Sequence, residues 1–217
     1  MAEMKLLPTH KGLLQEKTPI FGMVIGLVVN DATVMVGDPK RVIKDRNIVV
    51  GVTGNFHLVN KLLKMLRRNI FGIRSYTIRI DNVEEYAGVV LSHIRVLKIR
   101  RDTHLHVLVG GYDMKNPFVP KLFYVNKGGI TGVVAKSIGN GAIYADLVVK
   151  DQRLFNQNMT IKKAYALAKR GFSKAKLVHY TGTRFVIGTH VLLPKWIRQF
   201  HRCCRFKPVK RVSLNKF

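Results

Sequence analysis

The stretch GMVIGLVVNDATVMVGD, residues 22–38, constrains the fold more than any other part of the chain. Two apolar runs, 22–29 and 32–37, flank a polar Asn30-Asp31 pair. Both loop residue types tolerate positive φ, so the spacing predicts a hairpin with a two-residue turn. The runs are too continuously apolar for a sheet with one wet face, and each strand is expected to be covered on both sides. NIVVGVTG, residues 47–54, reads as a third strand of the same kind and ends on a glycine.

Strands buried on both faces need helices to cover them, and the next segment supplies two. Val59, Leu62, Leu63, Leu66 and Ile70 form one stripe of a helix over 56–70, with Asn55 as its N-cap. A second helix starts at Asp81 or Asn82 and carries Val83, Ala87, Val90, Leu91, Ile94 and Leu97 on one face, running to about residue 101. Strands follow at 104–113, 120–126 and 129–137. The GNG of 139–141 makes a tight strand-to-helix turn before a third helix over 142–151. A fourth helix opens at Thr160, its N-cap, with Ile161, Ala164, Tyr165, Ala168, Phe172 and Ala175 along one side. Residues 183–190 are the last strand, and a basic tail lies beyond Pro194. Strands grouped on either side of helix pairs are not alternating βαβ units. They predict an α+β fold in which antiparallel sheets are covered by helices on their outer faces. Three segments result: a leader over 1–21, one domain over 22–193 and the tail over 194–217.

Composition narrows the function. The 217 residues include 38 Lys+Arg against 12 Asp+Glu, a formal charge of +26. Such a balance suits a nucleic-acid-binding or ribosome-associated protein. It equally suits a subunit of a large assembly that meets acidic neighbours. The basic residues are spread over nearly every segment, without zinc-finger spacing, an aromatic RNA-binding consensus or a Walker loop, so nucleic acid is not the favoured partner. No uncharged apolar run approaches the roughly 20 residues of a membrane helix, and the N-terminus lacks the apolar centre of a secretory signal. The chain is expected to be soluble and intracellular, without a membrane partner.

Other constellations have plain structural readings. His104 and His106, two apart on a strand, share a face without a third ligand fixed nearby. Cys203 and Cys204 are adjacent and read as reduced thiols, with His201 close by but no metal site implied. Asp146 and Asp151 read as solvated helix acids. Tyr112, Phe118, Phe123 and Tyr124 could form a platform for bases. Adjacent strand residues face opposite ways, so at least one of Phe123 and Tyr124 should be core. No catalytic, cofactor-binding or metal-ligating residue is assigned.

Several motifs in order resemble β-type subunits of the 20S proteasome: GMVIGLVVNDATVMVGD, IVVGVTG, HVLVGGYD, PKLFYVN, SIGNGAIYADLVVKD, TIKKAYALAKRGF and HYTG, together covering about 22–191. The resemblance implies a four-layer αββα sandwich of the N-terminal nucleophile hydrolase type. Active members of that family attack with an N-terminal threonine hydroxyl, use its own amine as base, and tune the pair with an aspartate and a lysine. Matching residue by residue places the nucleophile position on Gly22, which has no hydroxyl, after Phe21 rather than a Gly-Thr junction. Asp38 falls on the aspartate position. The lysine has no counterpart, because only PKRVIKDR joins Asp38 to Asn47; Lys40 and Lys44 are at hand but unmatched. Gly54 matches the glycine whose backbone lines the substrate cleft. Asn140 stands for the loop serine, Val178 for the second aspartate and Thr181 for the serine after it. Thr18 lies four residues too early relative to Asp38 to substitute, and Pro19 follows it. Asp38 is expected to cap a turn through backbone amides.

The resemblance therefore implies a non-catalytic β-type subunit of a eukaryotic 20S proteasome, in the cytoplasm and nucleus, without cofactor or metal. Its partners would be neighbouring β-type and α-type subunits in a hetero-oligomeric particle of 28 subunits whose active members degrade unfolded polypeptides. Trp196, Ile197, Phe200 and Phe206 in the tail would anchor it on a neighbour.

Overall fold

A computed structural model describes residues 20–30, 32–45, 47–72, 82–97, 103–113, 119–178 and 188–192. Expectations placed on Thr18, Asp31, Asp81, Phe118, Thr181, residues 183–187, and the tail with Trp196, Ile197, Phe200, His201, Cys203, Cys204 and Phe206 lie outside the described residues.

The first hairpin forms as its sequence dictates. β2 (Met23–Val29) pairs antiparallel with β3 (Ala32–Gly37), and Val29 faces Ala32 across a two-residue turn. Every residue of both strands is buried. A short strand β1 (Ile20–Phe21), placed in the leader by sequence, precedes them. After β3 the chain makes a second hairpin, β4 (Val42–Asp45) with β5 (Ile48–Asn55), where the sequence suggested only a connection. Asp45 opposite Ile48 closes this turn over two residues, so the register of β5 fixes that of β4.

α1 (Phe56–Gly72) follows directly. Asn55 Oδ1 accepts from the His57 and Leu58 amides at 3.1 and 3.4 Å, which makes it the expected N-cap. α2 (Val83–Val96) is capped by Asn82, whose Oδ1 takes the Glu84 amide at 2.8 Å, and Leu97 is its C-cap; residues 98–101, to which the sequence extends this helix, lie outside the described residues. Asp113 adds a second cap from a distance, accepting the Val83 amide at 2.9 Å. β6 (Leu105–Tyr112) and β7 (Pro120–Asn126) stand where expected.

The run 129–137, read as one strand, is two. β8 (Gly129–Gly132) pairs with β7, whereas β9 (Ala135–Gly139) pairs with β2 in the other sheet. Val133 and Val134 carry the chain across: the Val133 amide bonds to Leu122 O at 2.9 Å, and Val134 O takes the Val28 amide at 2.8 Å. α3 (Ala142–Val149) and α4 (Ile161–Val178) come next, and Thr160 caps α4 through the Lys163 amide at 3.3 Å. β10 (Gly188–Leu192) closes on β3.

One sheet runs β5-β6-β7-β8, with β1 and β4 sharing the free edge of β5; the other runs β10-β3-β2-β9. All pairings are antiparallel. Three apolar clusters hold the layers together. Leu62, Leu66, Val90 and Ile94 of α1 and α2 cover Val50, Val107 and Val109 of the first sheet. Val24, Met35, Val49, Leu108, Leu122 and Ile138 fill the space between the sheets. Ala145, Val149, Ala168 and Phe172 of α3 and α4 cover Ile25, Leu27 and Val34 of the second. Burial of this kind, at about 25 cal/mol per Å² of apolar surface, is the main force holding the layers together. The result is a four-layer αββα sandwich. Phe123 packs on the helix side of its sheet and Tyr124 on the inter-sheet side, while Tyr112 is buried between the sheets, so these rings are divided among cores and form no common platform.

Candidate functional site

The topology brings four of the sequence-matched positions to one end of the sandwich. Gly22 sits between β1 and β2, with φ of +81°. Asp38 follows Gly37, which faces Val24 one step inside that end. Gly54 pairs with Phe21, so β1 occupies the edge of β5 at this glycine. Asn140, at the turn after β9, donates its amide to Gly22 O at 3.0 Å.

Two glycines make this approach feasible. A Cβ on Gly139, whose φ is +97°, would lie 2.2 Å from Gly22 O. One on Gly54, with φ of +132°, would lie 2.2 Å from His104 O. Both positions combine a left-handed backbone with backbone contact, so no other residue fits without displacement.

Asp38 answers to the reading of a turn cap. Its Oδ1 accepts the Lys40 amide at 2.9 Å, and its carbonyl accepts the Arg41 amide at 2.8 Å. Lys40 and Lys44 are exposed. The cation beside Gly22 is one the sequence reading passed over. Arg41 is only 7% exposed, and a Cβ on Gly22 would lie 3.4 Å from its Cγ and 3.7 Å from its Nε. Its guanidinium stands 5.4 Å from the centroid of the Phe56 ring. Burial pushes the guanidinium below its ordinary pKa, and the Asp38 charge opposes that shift. Arg41 Nη1 has no hydrogen-bond partner among the described residues. The signal for Arg41 was the β4–β5 hairpin: once Val42 faces Gly51, Arg41 is the residue entering the strand, and its carbonyl takes the Val52 amide at 2.9 Å.

Chemically, this end holds an acid engaged with a turn, a permanently protonated guanidinium and a residue without a side chain. A guanidinium cannot give up its proton near neutral pH, so Arg41 cannot relay protons as a lysine does. Val178 ends α4, and its side chain lies outside the described ones.

A second polar group lies where β6, β7, β9 and α3 meet. The His104 and His106 rings are 5.8 Å apart and within 17° of parallel, sharing a face as expected. His106 Nδ1 is 2.6 Å from the Tyr124 hydroxyl, which also receives Asn126 Nδ2 at 3.1 Å. Burial, the His104 ring and Lys136 lower the His106 pKa to about 4. Asp146, read as a solvated acid, is instead only 16% exposed at its side chain and binds Lys136 and Lys150 at 3.1 and 2.7 Å. It also accepts the Ser137 amide at 2.6 Å. Burial pushes this carboxyl up, but these donors outweigh it and hold it below its ordinary value. The correction has a simple cause: Asp146 sits on the α3 side facing β9, and only the helix-to-sheet packing reveals it. Asp151 accepts the Arg153 amide at 2.9 Å, capping the turn after α3.

Two antiparallel sheets between helix pairs make the four-layer sandwich of the N-terminal nucleophile hydrolases. The family profile described as proteasome subunit matches residues 22–189. The chain belongs to the proteasome subunit family, and membership implies assembly with other proteasome subunits. Among curated proteins, none matches significantly.

Proposed function

We propose that this chain is a proteolytically inactive β-type subunit of a eukaryotic 20S proteasome core, acting in the cytoplasm and nucleus. It fills one position of the inner ring between β-type neighbours and an α-type ring. It helps wall the chamber in which active subunits degrade unfolded proteins. Residues 1–21 are its leader and 194–217 a tail that reaches a neighbour.

The observation that carries the reading is Gly22. It occupies the head of β2, where the family's active members place a hydroxyl, and it packs against an arginine instead of a lysine. Cleavage after Phe21 would free an amine at Gly22 but no nucleophile beside it. In the isolated particle, a covalent probe for N-terminal threonine should label active subunits and leave this chain at its unmodified mass. A probe adduct on this chain, or a mature form beginning with a hydroxyl-bearing residue, would overturn the reading.

A further inference from the structure

The turn from β9 into α3, GNG at 139–141, carries the only Asn-Gly step in the chain. Asparagine is chemically weakest at such a step. The backbone nitrogen of the next residue can attack its side-chain amide carbon, and a glycine there has no Cβ to stand in the way. A folded chain permits the attack only where the asparagine is not held. Asn55, Asn82, Asn126 and Asn156 accept backbone amides through Oδ1, and Asn47 donates through Nδ2 to Tyr112 O. Asn60 lies inside α1, where the amide that follows it belongs to the helix ladder. Asn30 and Asn158 precede Asp31 and Met159, whose side chains crowd the attacking nitrogen. Asn140 is different. Its backbone amide is tied to Gly22 O at 3.0 Å, but its half-buried side chain makes no hydrogen bond among the described residues. Gly141 gives α3 no side-chain cap, and no acceptor among the described residues takes its amide.

We infer that Asn140 is a site of spontaneous deamidation and isomerisation. Solvent hydroxide removes the Gly141 amide proton, and that nitrogen bonds to Asn140 Cγ. The Cγ–Nδ2 bond breaks, and Nδ2 takes up a proton and leaves as ammonia. Water opens the remaining cyclic succinimide at either carbonyl. One opening gives aspartate; the other gives isoaspartate, whose main chain runs through Cβ and Cγ. Each route exchanges ammonia for water and leaves a carboxylate. That charge arrives on the residue bonded to Gly22, at the end where Arg41 keeps Nη1 without a partner. Isoaspartate also lengthens the backbone between the Gly22 bond and Gly141 O, which accepts the Tyr144 and Ala145 amides. The inference concerns this turn alone and does not depend on the chain's being inactive.

Trypsin cuts after Lys136 and Lys150, so residues 137–150 form one peptide whose sole asparagine is Asn140. The test ages the folded full chain at mildly alkaline pH, digests it and measures the mass of that peptide. The expected result is a gain of about 1 Da, with isoaspartate revealed by enzymatic methylation. The gain should accumulate at least tenfold faster than in the peptides that hold Asn55, Asn82 and Asn126. Gly141 packs against Ala175, so chain unfolded in urea should react faster and serves as the positive control. N140S should lose the gain with its circular dichroism unchanged. No gain in the folded chain overturns the inference, whatever the unfolded chain does. So does a gain without isoaspartate, one that only keeps pace with the capped asparagines, or one that persists in N140S.

Discussion

Arg41 and Asp146 are both charged side chains largely withdrawn from water, and the fold treats them in opposite ways. Asp146 gathers two ammonium groups and a backbone amide. Arg41 keeps a guanidinium nitrogen without a partner among the described residues and leans on an aromatic ring. A buried charge is costly unless its partners replace the lost water. The Asp146 corner therefore ties α3 to β9 and adds cohesion. The Arg41 end, beside Gly22, carries a cost that Asp38 and the Phe56 ring offset only in part.

That contrast can be broken or sharpened by experiment. The largest effect belongs to Asp146→Asn, which leaves Lys136 without its carboxylate. It should destabilise the full chain by about 3 kcal/mol in denaturant unfolding. A change under about 0.5 kcal/mol would mean that the corner is not structural.

Next comes pH. His106 in the unfolded chain titrates near 6.5 but in the folded chain near 4, so the unfolded state takes up the proton first as pH falls. Its contribution is complete above pH 6.5, declines as pH falls from 6.5 to 4, and is flat below. With its partial exposure allowed for, the loss should be about 2 kcal/mol, and His106→Gln should remove this part of the pH dependence.

Asp38→Ala should cost about 1 kcal/mol through loss of the Lys40 amide bond. The cost should be smaller in the background of Arg41→Met, where no buried cation remains to lose its neighbouring acid. The smallest effect is Arg41→Met itself, which should leave the unfolding midpoint unchanged or raise stability by about 1 kcal/mol. A loss above 2 kcal/mol would show that Arg41 has a strong partner and that the two ends are alike.

The sequence made most elements legible because their signals are local. The α1 stripe from Val59 to Leu66, the Asn55 and Thr160 caps and the Asn30-Asp31 turn each follow from a few neighbouring residues. What it hid depends on contacts between distant segments. β8 and β9 form one apolar run in sequence, and only the presence of two separate sheet edges divides it. Arg41 reads as one more basic residue until the β4–β5 register brings it to Gly22. Asp146 looks solvated until β9 arrives beside it. At the matched cleft positions the reading of Asp38 as a turn cap survived, since an Asx turn is itself local.

The crossing at Val133 and Val134 has a mechanical consequence. Two extended residues span only about 7 Å. β8 and β9, the borders of the two sheets, are thus bound like pages at a spine. Near the opposite border Gly22 alone joins β1 of one sheet to β2 of the other, so the sandwich is stitched on both sides.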